Sequence, residues 1–201
     1  MIKITFMGAG STVFLRNVLG DCIYTDALKG MEIALYDIDG QRLEQSAAIL
    51  EAINKGNGCP ASIRSYLGAE NRRKALSGAD FVINAIQVGG YDPCTITDFE
   101  IPKKYGLRQT IGDTLGIGGI MRALRTIPVL EDFARDMEAV CPNAWFLNYT
   151  NPMSMLTGYM LRYTGVKTLG LCHSVQTCSK TLMDAIGMSD RLEGRRELIA
   201  G

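Results

Sequence analysis

Short apolar runs alternate with amphipathic stretches along all 201 residues, and this alternation limits the chain to an α/β sheet more firmly than any other feature. The strongest run is Asp80-Phe81-Val82-Ile83-Asn84-Ala85-Ile86. A nearly continuous apolar segment of this length suits a parallel strand covered by helices on both faces. Ile2 to Met7, Met31 to Tyr36, Ser62 to Leu67, Trp145 to Asn148 and Val166 to Leu171 are further strand-like runs. Between them the apolar spacing turns helical. Thr12 to Leu28 carries Val13, Leu15, Val18, Leu19, Ile23 and Leu28, and the next helix sets Leu43, Ala47, Leu50 and Ile53 on one face before Gly56-Asn57-Gly58 ends it. Helices are also expected just before Asp80, over Phe99 to Tyr105, from about Ile120 to Val140, and over Met153 to Tyr163. Pro128 is expected to kink or divide the long one.

Six strands with helical crossovers predict a doubly wound, Rossmann-like parallel sheet in the order 3-2-1-4-5-6. Right-handed crossovers gather the strand C-termini on one edge, where ligands bind in such folds. Gly8 to Ser11, Asp37, Asn84 to Gly90, Asn148 to Asn151 and Cys172-His173 all fall on that edge.

The turn Gly8-Ala9-Gly10-Ser11 joins the first strand to the first helix. Glycines there let backbone approach a pyrophosphate, and the helix N-terminus supplies free N–H groups and partial positive charge. Gly8 and Gly10 fill the first two positions of G-x-G-x-x-G, and Val13 replaces the third. Asp37 closes the second strand, where its carboxylate can accept hydrogen bonds from ribose hydroxyls and repel a 2′-phosphate. The cofactor expected is therefore NAD, held by Gly8, Gly10, Ser11, Thr12, Asp37, Asn84 and Gln87. The competing reading is an ordinary βαβ turn beside a solvated aspartate.

Composition narrows the partners. Lys plus Arg and Asp plus Glu number 21 each, so no net charge points to nucleic acid or to an anionic membrane. Apolar residues make up 47%, yet no uninterrupted stretch reaches membrane-spanning length. Met1 leads straight into a strand without a signal-peptide pattern, and six scattered cysteines include no CxxC pair. A cytoplasmic protein with reduced thiols is the expectation.

Three further constellations carry chemistry. Asn148-Tyr149-Thr150-Asn151-Pro152 follows a core strand, and its carboxamides can bind sugar hydroxyls or a nicotinamide, or else merely shape a turn. Cys172-His173 follows the last strand. Both residue types ligate transition metals, although neighbours in an extended segment point to opposite faces. Arg122 and Arg125 share a helix face, to bind an anion or substrate, or to pair with Glu131 or Asp132.

Together these segments resemble glycoside hydrolase family 4, most closely its α-galactosidase branch. The resemblance runs through Ile4 to Thr12, Ala34 to Asp39, Gly89 to Thr95, Gly118 to Pro128, Leu147 to Met153 and Gly170 to Gln176, which is nearly the whole chain in order. It implies an NAD-dependent exception to two-carboxylate glycosidases. In that chemistry NAD⁺ oxidises the sugar at carbon 3, a base removes the hydrogen on carbon 2, the glycosidic oxygen leaves, water adds and the ketone is reduced. A divalent metal, usually Mn²⁺, holds the oxygens on carbons 2 and 3. The resemblance assigns Asn148 and Asn151 to substrate and Cys172 to the metal. His173 stands where other branches carry an aspartate proposed as acid, a role a histidine can fill near neutral pH. An α-galactoside is the implied substrate and a homo-oligomer the implied assembly.

The chain departs from the pattern in two places. Ile117 replaces the proline of a G-P-G-G stretch. Residues 191–201 are expected to begin a C-terminal domain that would carry the second metal ligand and the base, leaving 1–190 as the NAD-binding domain. Two other functions fit the same fold: a 2-hydroxy-acid dehydrogenase of the lactate or malate type, and a non-catalytic NAD-binding remnant.

Overall fold

The computed structural model describes residues 1–58 and 60–188, so expectations for Cys59 and for residues 191–201 lie outside the described residues. The chain divides into two compact units, Met1–Gly170 and Leu171–Gly201.

The first unit is built on a parallel sheet of six strands in the order β3-β2-β1-β4-β5-β6, as the alternation predicts. The strands are β1 (Lys3–Met7), β2 (Glu32–Asp37), β3 (Ser62–Leu67), β4 (Phe81–Asn84), β5 (Trp145–Asn148) and β6 (Lys167–Gly170). The helices are α1 (Thr12–Tyr24), α2 (Gly40–Gly56), α3 (Arg72–Leu76), α4 (Ile96–Lys104), α5 (Gly116–Val140) and α6 (Met153–Tyr163). Successive residues of a strand face opposite sides of the sheet, and β1 shows the consequence. Ile4 and Phe6 join Ile33, Leu35 and Ile83 beneath Leu15, Leu19 and Ile23 of α1 and Leu43 and Leu50 of α2. Met7 joins Val82 and Phe146 on the other side, beneath Leu76 of α3, Leu130, Phe133 and Met137 of α5, and Leu156 and Met160 of α6. Each fully buried side chain of this size contributes about 1.5–3 kcal/mol. The alternation also specifies the register, because a one-residue slip would exchange the two cores.

Several element ends differ from expectation. α1 stops at Tyr24, and Asp26–Leu28 forms a separate 3-10 turn. Thr25 breaks the helix, with extended backbone and a hydroxyl that donates back to the Asp21 carbonyl at 2.8 Å. β4 ends at Asn84 instead of running to Ile86, because its neighbour β1 ends opposite, where Gly8 turns at φ +87°. α5 begins at Gly116 and runs unbroken through Pro128, so the expected division does not occur. Proline leaves the carbonyl four residues back, that of Leu124, without a helical partner. Pro128 and Leu124 are both exposed, which lets water serve that carbonyl.

The second unit contains α7 (His173–Ala185), whose N-cap is Cys172. No helix among the described residues is long and apolar enough to cross a membrane.

Candidate cofactor and sugar site

The ends of β1 and β2 shape the first part of the site. The N–H groups of Gly8 and Ala9 both donate to the Tyr36 carbonyl, at 3.0 and 2.9 Å, which pulls the turn tight over the strand end. Gly8 is required twice over. Its φ is +87°, and a Cβ would lie 2.8 Å from the backbone of Ala85. Gly10 packs equally closely: a Cβ there would stand 2.9 Å from Asp37 Oδ2, the atom to which its own N–H donates at 2.6 Å. The other oxygen, Asp37 Oδ1, accepts from the Asp39 N–H at 2.9 Å, and Asp39 in turn caps α2 through the Arg42 N–H. The half-buried Asp37 carboxylate is thereby aimed at the glycine turn and retains acceptor capacity on both oxygens.

Ser11 is the N-cap of α1 and makes no side-chain capping bond, and the first turn of α1 carries no acid. The first N–H groups of the helix therefore lack intrahelical partners, and no acidic residue stands within the first turn itself. This uncapped terminus beside a cradle that a Cβ would fill fits the pyrophosphate of a dinucleotide. Val13, at the third glycine position, is exposed, so its bulk does not obstruct the packing of α1 on the sheet. Thr12 was expected at the cofactor. Its hydroxyl lies 2.9 Å from Ser46 Oγ, tying α1 to α2.

The ends of β4 and β5 shape the second part. Asn84 and Asn148 are register partners, both fully buried. Asn84 Nδ2 donates to Asn148 Oδ1 at 3.0 Å and to Thr150 Oγ1 at 3.1 Å, while Asn148 Nδ2 donates to Thr157 Oγ1 at 3.1 Å. Asn148 Oδ1 also accepts from the Thr150 N–H at 3.1 Å. Asn84 Nδ2 and both polar atoms of Asn148 thus lock the turn at residues 149–152, while the buried Asn84 Oδ1 has no partner among the described residues and is open to a ligand. The spacing that suggested Asn84 and Asn148 as ligands also suits this internal clip. Asn151 differs: it is half-buried, and its Nδ2 lies 3.4 Å from Asp113 Oδ2. Gln87 is exposed and donates to Thr95 Oγ1 at 3.2 Å.

Sequence reasoning missed two carboxylates. Asp98, only 1% exposed, takes both terminal nitrogens of Arg125 at 2.8 and 2.5 Å, and Arg125 Nε reaches the Val88 carbonyl at 3.1 Å. Asp113 stands 3.8 Å from Arg122. The expected partners Glu131 and Asp132 instead pair with Arg135 on their own helix. A partner 27 residues away leaves no trace in helical spacing, which reports only the neighbours on one face. Burial lowers the Arg122 guanidinium from its ordinary pKa and Asp113 works against that, whereas the hydrogen bonds to Asp98 raise Arg125.

In the second unit, Cys172 is exposed, with β-region backbone, and His173 opens α7. The strand expected to reach Leu171 ends at Gly170, so the pair lies at a helix start and not in an extended segment. The His173 side chain is outside the described set. Among the described residues no three His, Cys, Asp or Glu side chains are grouped to hold a metal ion. The side chains in view therefore do not by themselves make a site for Mn²⁺.

The sequence profile of the family 4 glycosyl hydrolases matches residues 3–188. The chain belongs to this family. An α-galactosidase of Bacillus subtilis is 62% identical over the whole chain, and an α-galactosidase of Rhizobium meliloti is 39% identical over 94% of it. An α-galacturonidase of Bacillus subtilis is 35% identical over 92%. The chain spans 45%, 38% and 40% of these three proteins. Among solved structures, a putative glucosidase of Bacillus subtilis matches at TM-score 0.81 and 32% identity, covering 96% of this chain and 42% of that one. The 6-phospho-β-glucosidase of Thermotoga maritima with manganese, NAD⁺ and glucose-6-phosphate matches at 0.75 and 24%, over 93% of this chain and 43% of that one. A malate dehydrogenase of Picrophilus torridus matches at 0.60 and 15% identity, over 91% of this chain and 51% of that one, a likeness of fold alone. Both the family and the dehydrogenase-like sheet expected of the family 4 chain are thereby found.

Proposed function

We propose that this chain is the NAD-binding part of a family 4 α-galactosidase that opens glycosides by oxidation, elimination, addition and reduction at the sugar ring. The observation that carries the reading is the 62% identity, over every residue of the chain, to an α-galactosidase. The glycine cradle at Gly8, the uncapped start of α1 and the aimed Asp37 carboxylate support the cofactor half of it.

Bound NAD⁺ supplies reversible hydride acceptance, which the side chains of the protein cannot. The chain positions it. Gly8 and Gly10 let the backbone close on the pyrophosphate, and Ser11 and Thr12 begin the helix whose N–H groups face it. Asp37 accepts from the ribose hydroxyls and, as a carboxylate, repels a 2′-phosphate. Asn84 and Gln87 lie on the cofactor edge as further proposed contacts, and Asn148 and Asn151 are the proposed sugar contacts, with the bond between Asn84 and Asn148 fixing the β5 turn. His173 is the proposed proton donor to the leaving oxygen. Cys172 would be one ligand of a divalent Mn²⁺, which would supply Lewis-acid stabilisation of charge on the sugar oxygens. The same reading makes residues 1–190 the NAD-binding domain of a cytoplasmic homo-oligomer whose partner is a small α-galactoside, not nucleic acid or membrane.

The test joins the chain to the remaining portion of its 62%-identical relative. Hydrolysis of 4-nitrophenyl α-galactoside is measured with NAD⁺, Mn²⁺ and a thiol reductant. Turnover that stops without NAD⁺ or with EDTA is expected. Turnover independent of both, or oxidation of malate or lactate in place of hydrolysis, contradicts the proposal.

A further inference from the structure

Arg42 is a cation at a place that disfavours one. It is the third residue of α2, where a helix presents free N–H groups and partial positive charge, and the first turn of α2 carries no acid to balance it. Its backbone N–H donates to Asp39 Oδ1 at 3.1 Å, but its exposed side chain has no ion pair or hydrogen bond among the described residues. The root of that side chain is fixed at the cofactor edge. A Cβ on Gly10 would lie 3.0 Å from Arg42 Cβ and 2.9 Å from Asp37 Oδ2. The carboxylate assigned to the ribose and the stem of an uncommitted guanidinium therefore flank the same glycine.

Resting on the NAD reading above, we propose that Arg42 is a phosphate ligand for the adenosine 2′ position, and that the Asp37 carboxylate alone keeps the site from accepting NADP. The planar fork of a guanidinium matches two phosphate oxygens and donates to both. In NAD the 2′ oxygen is a hydroxyl, which donates to Asp37 and asks nothing of Arg42. In NADP the same oxygen carries a phosphate, which the Asp37 charge repels and the Arg42 charge attracts. Dinucleotide sites commonly use a carboxylate for the first cofactor and a nearby arginine for the second, and this turn carries both. The carboxylate prevails because the Gly10 and Asp39 N–H groups hold it in place, whereas the long Arg42 side chain must first be ordered. Removing Asp37 should therefore redirect specificity as well as weaken NAD⁺.

The experiment measures NAD⁺ and NADP⁺ by their displacement of NADH, followed by its fluorescence. It compares the unaltered chain with Asp37→Ala, Arg42→Met and the double variant. Asp37→Ala should bind NADP⁺ about tenfold or more tightly than the unaltered chain, and adding Arg42→Met should remove that gain. Alone, Arg42→Met should weaken NADP⁺ about tenfold more than NAD⁺. Arg42 is exposed, so this variant reports even if Asp37→Ala fails to fold. An NADP⁺ affinity that Asp37→Ala leaves unchanged, a gain that survives Arg42→Met, or an equal loss of both nucleotides in Arg42→Met overturns the role of Arg42 and leaves the NAD reading intact. Saturable binding of neither NADH nor NAD⁺ by the unaltered chain overturns both.

Discussion

At the scale of single residues, positions where an added atom has nowhere to go shape this protein most. Gly8 combines a φ of +87° with backbone of Ala85 at 2.8 Å from any Cβ. Gly8→Ala should therefore lower unfolding free energy by about 1–3 kcal/mol in urea denaturation, the usual cost of a non-glycine residue held in strained backbone. It should also impair NAD⁺ binding, because relief of the clash moves the turn. Asp98 illustrates the opposite case, a charge that must stay. Asp98→Ala would strand Arg125, whose side chain is only 21% exposed, and should destabilise by about 3 kcal/mol. Urea midpoints check both. The glycines and Asp37 were legible because a strand–turn–helix context gives them one physical use. Asp98 and Asp113 were not, since a solvated and a buried aspartate look alike until the chain has folded around them.

At the scale of elements, periodicity located the strand cores well and their ends poorly. β4 reads as apolar through Ile86, yet pairing stops where its neighbour β1 stops, at a tight turn that hydropathy does not report. The clip between Asn84 and Asn148 was similarly hidden: polar residues at strand ends suggest ligands, and only the register shows that these two also bond each other. Asn148→Ala should lower stability by about 1–3 kcal/mol by leaving Asn84 Nδ2 and the Thr150 N–H short of a buried acceptor. Pro128 marks the reverse error, a breaker at an exposed helix position where water can serve the Leu124 carbonyl that it leaves without a helical partner. Replacing it should restore that hydrogen bond, and the gain, less the lost unfolded-state restriction, amounts to about 2 kcal/mol. Calorimetry should show Pro128→Ala melting about 4–8 °C higher for a chain of this size. A lower melting temperature would contradict this account of α5.

At the scale of the whole molecule, strand order, fold class and family were readable because alternation and ordered motifs agree along the full length. Stability against pH follows from groups in the larger unit. Burial pushes the Cys141 thiol up from about 9 to about 11. A raised folded value means that its contribution is complete below pH 9 and is lost as pH rises toward 11. Cys141→Ala should flatten that alkaline decline. Burial works to raise Asp136, but its hydrogen bonds to Arg73 and Arg72 prevail and hold it below the usual carboxylate value. Its contribution is present above pH 4 and is lost as pH falls below it. The central claim is that the turn from Gly8 to Ser11, with Asp37 across it, holds NAD. Calorimetric titration of NAD⁺ and NADP⁺ into the chain and its Asp37→Ala variant tests this most directly. Saturable NAD⁺ binding, with NADP⁺ weaker and Asp37→Ala costing about tenfold or more, is the predicted result. Equal affinity for both nucleotides, or no saturable binding of NAD⁺, would contradict it.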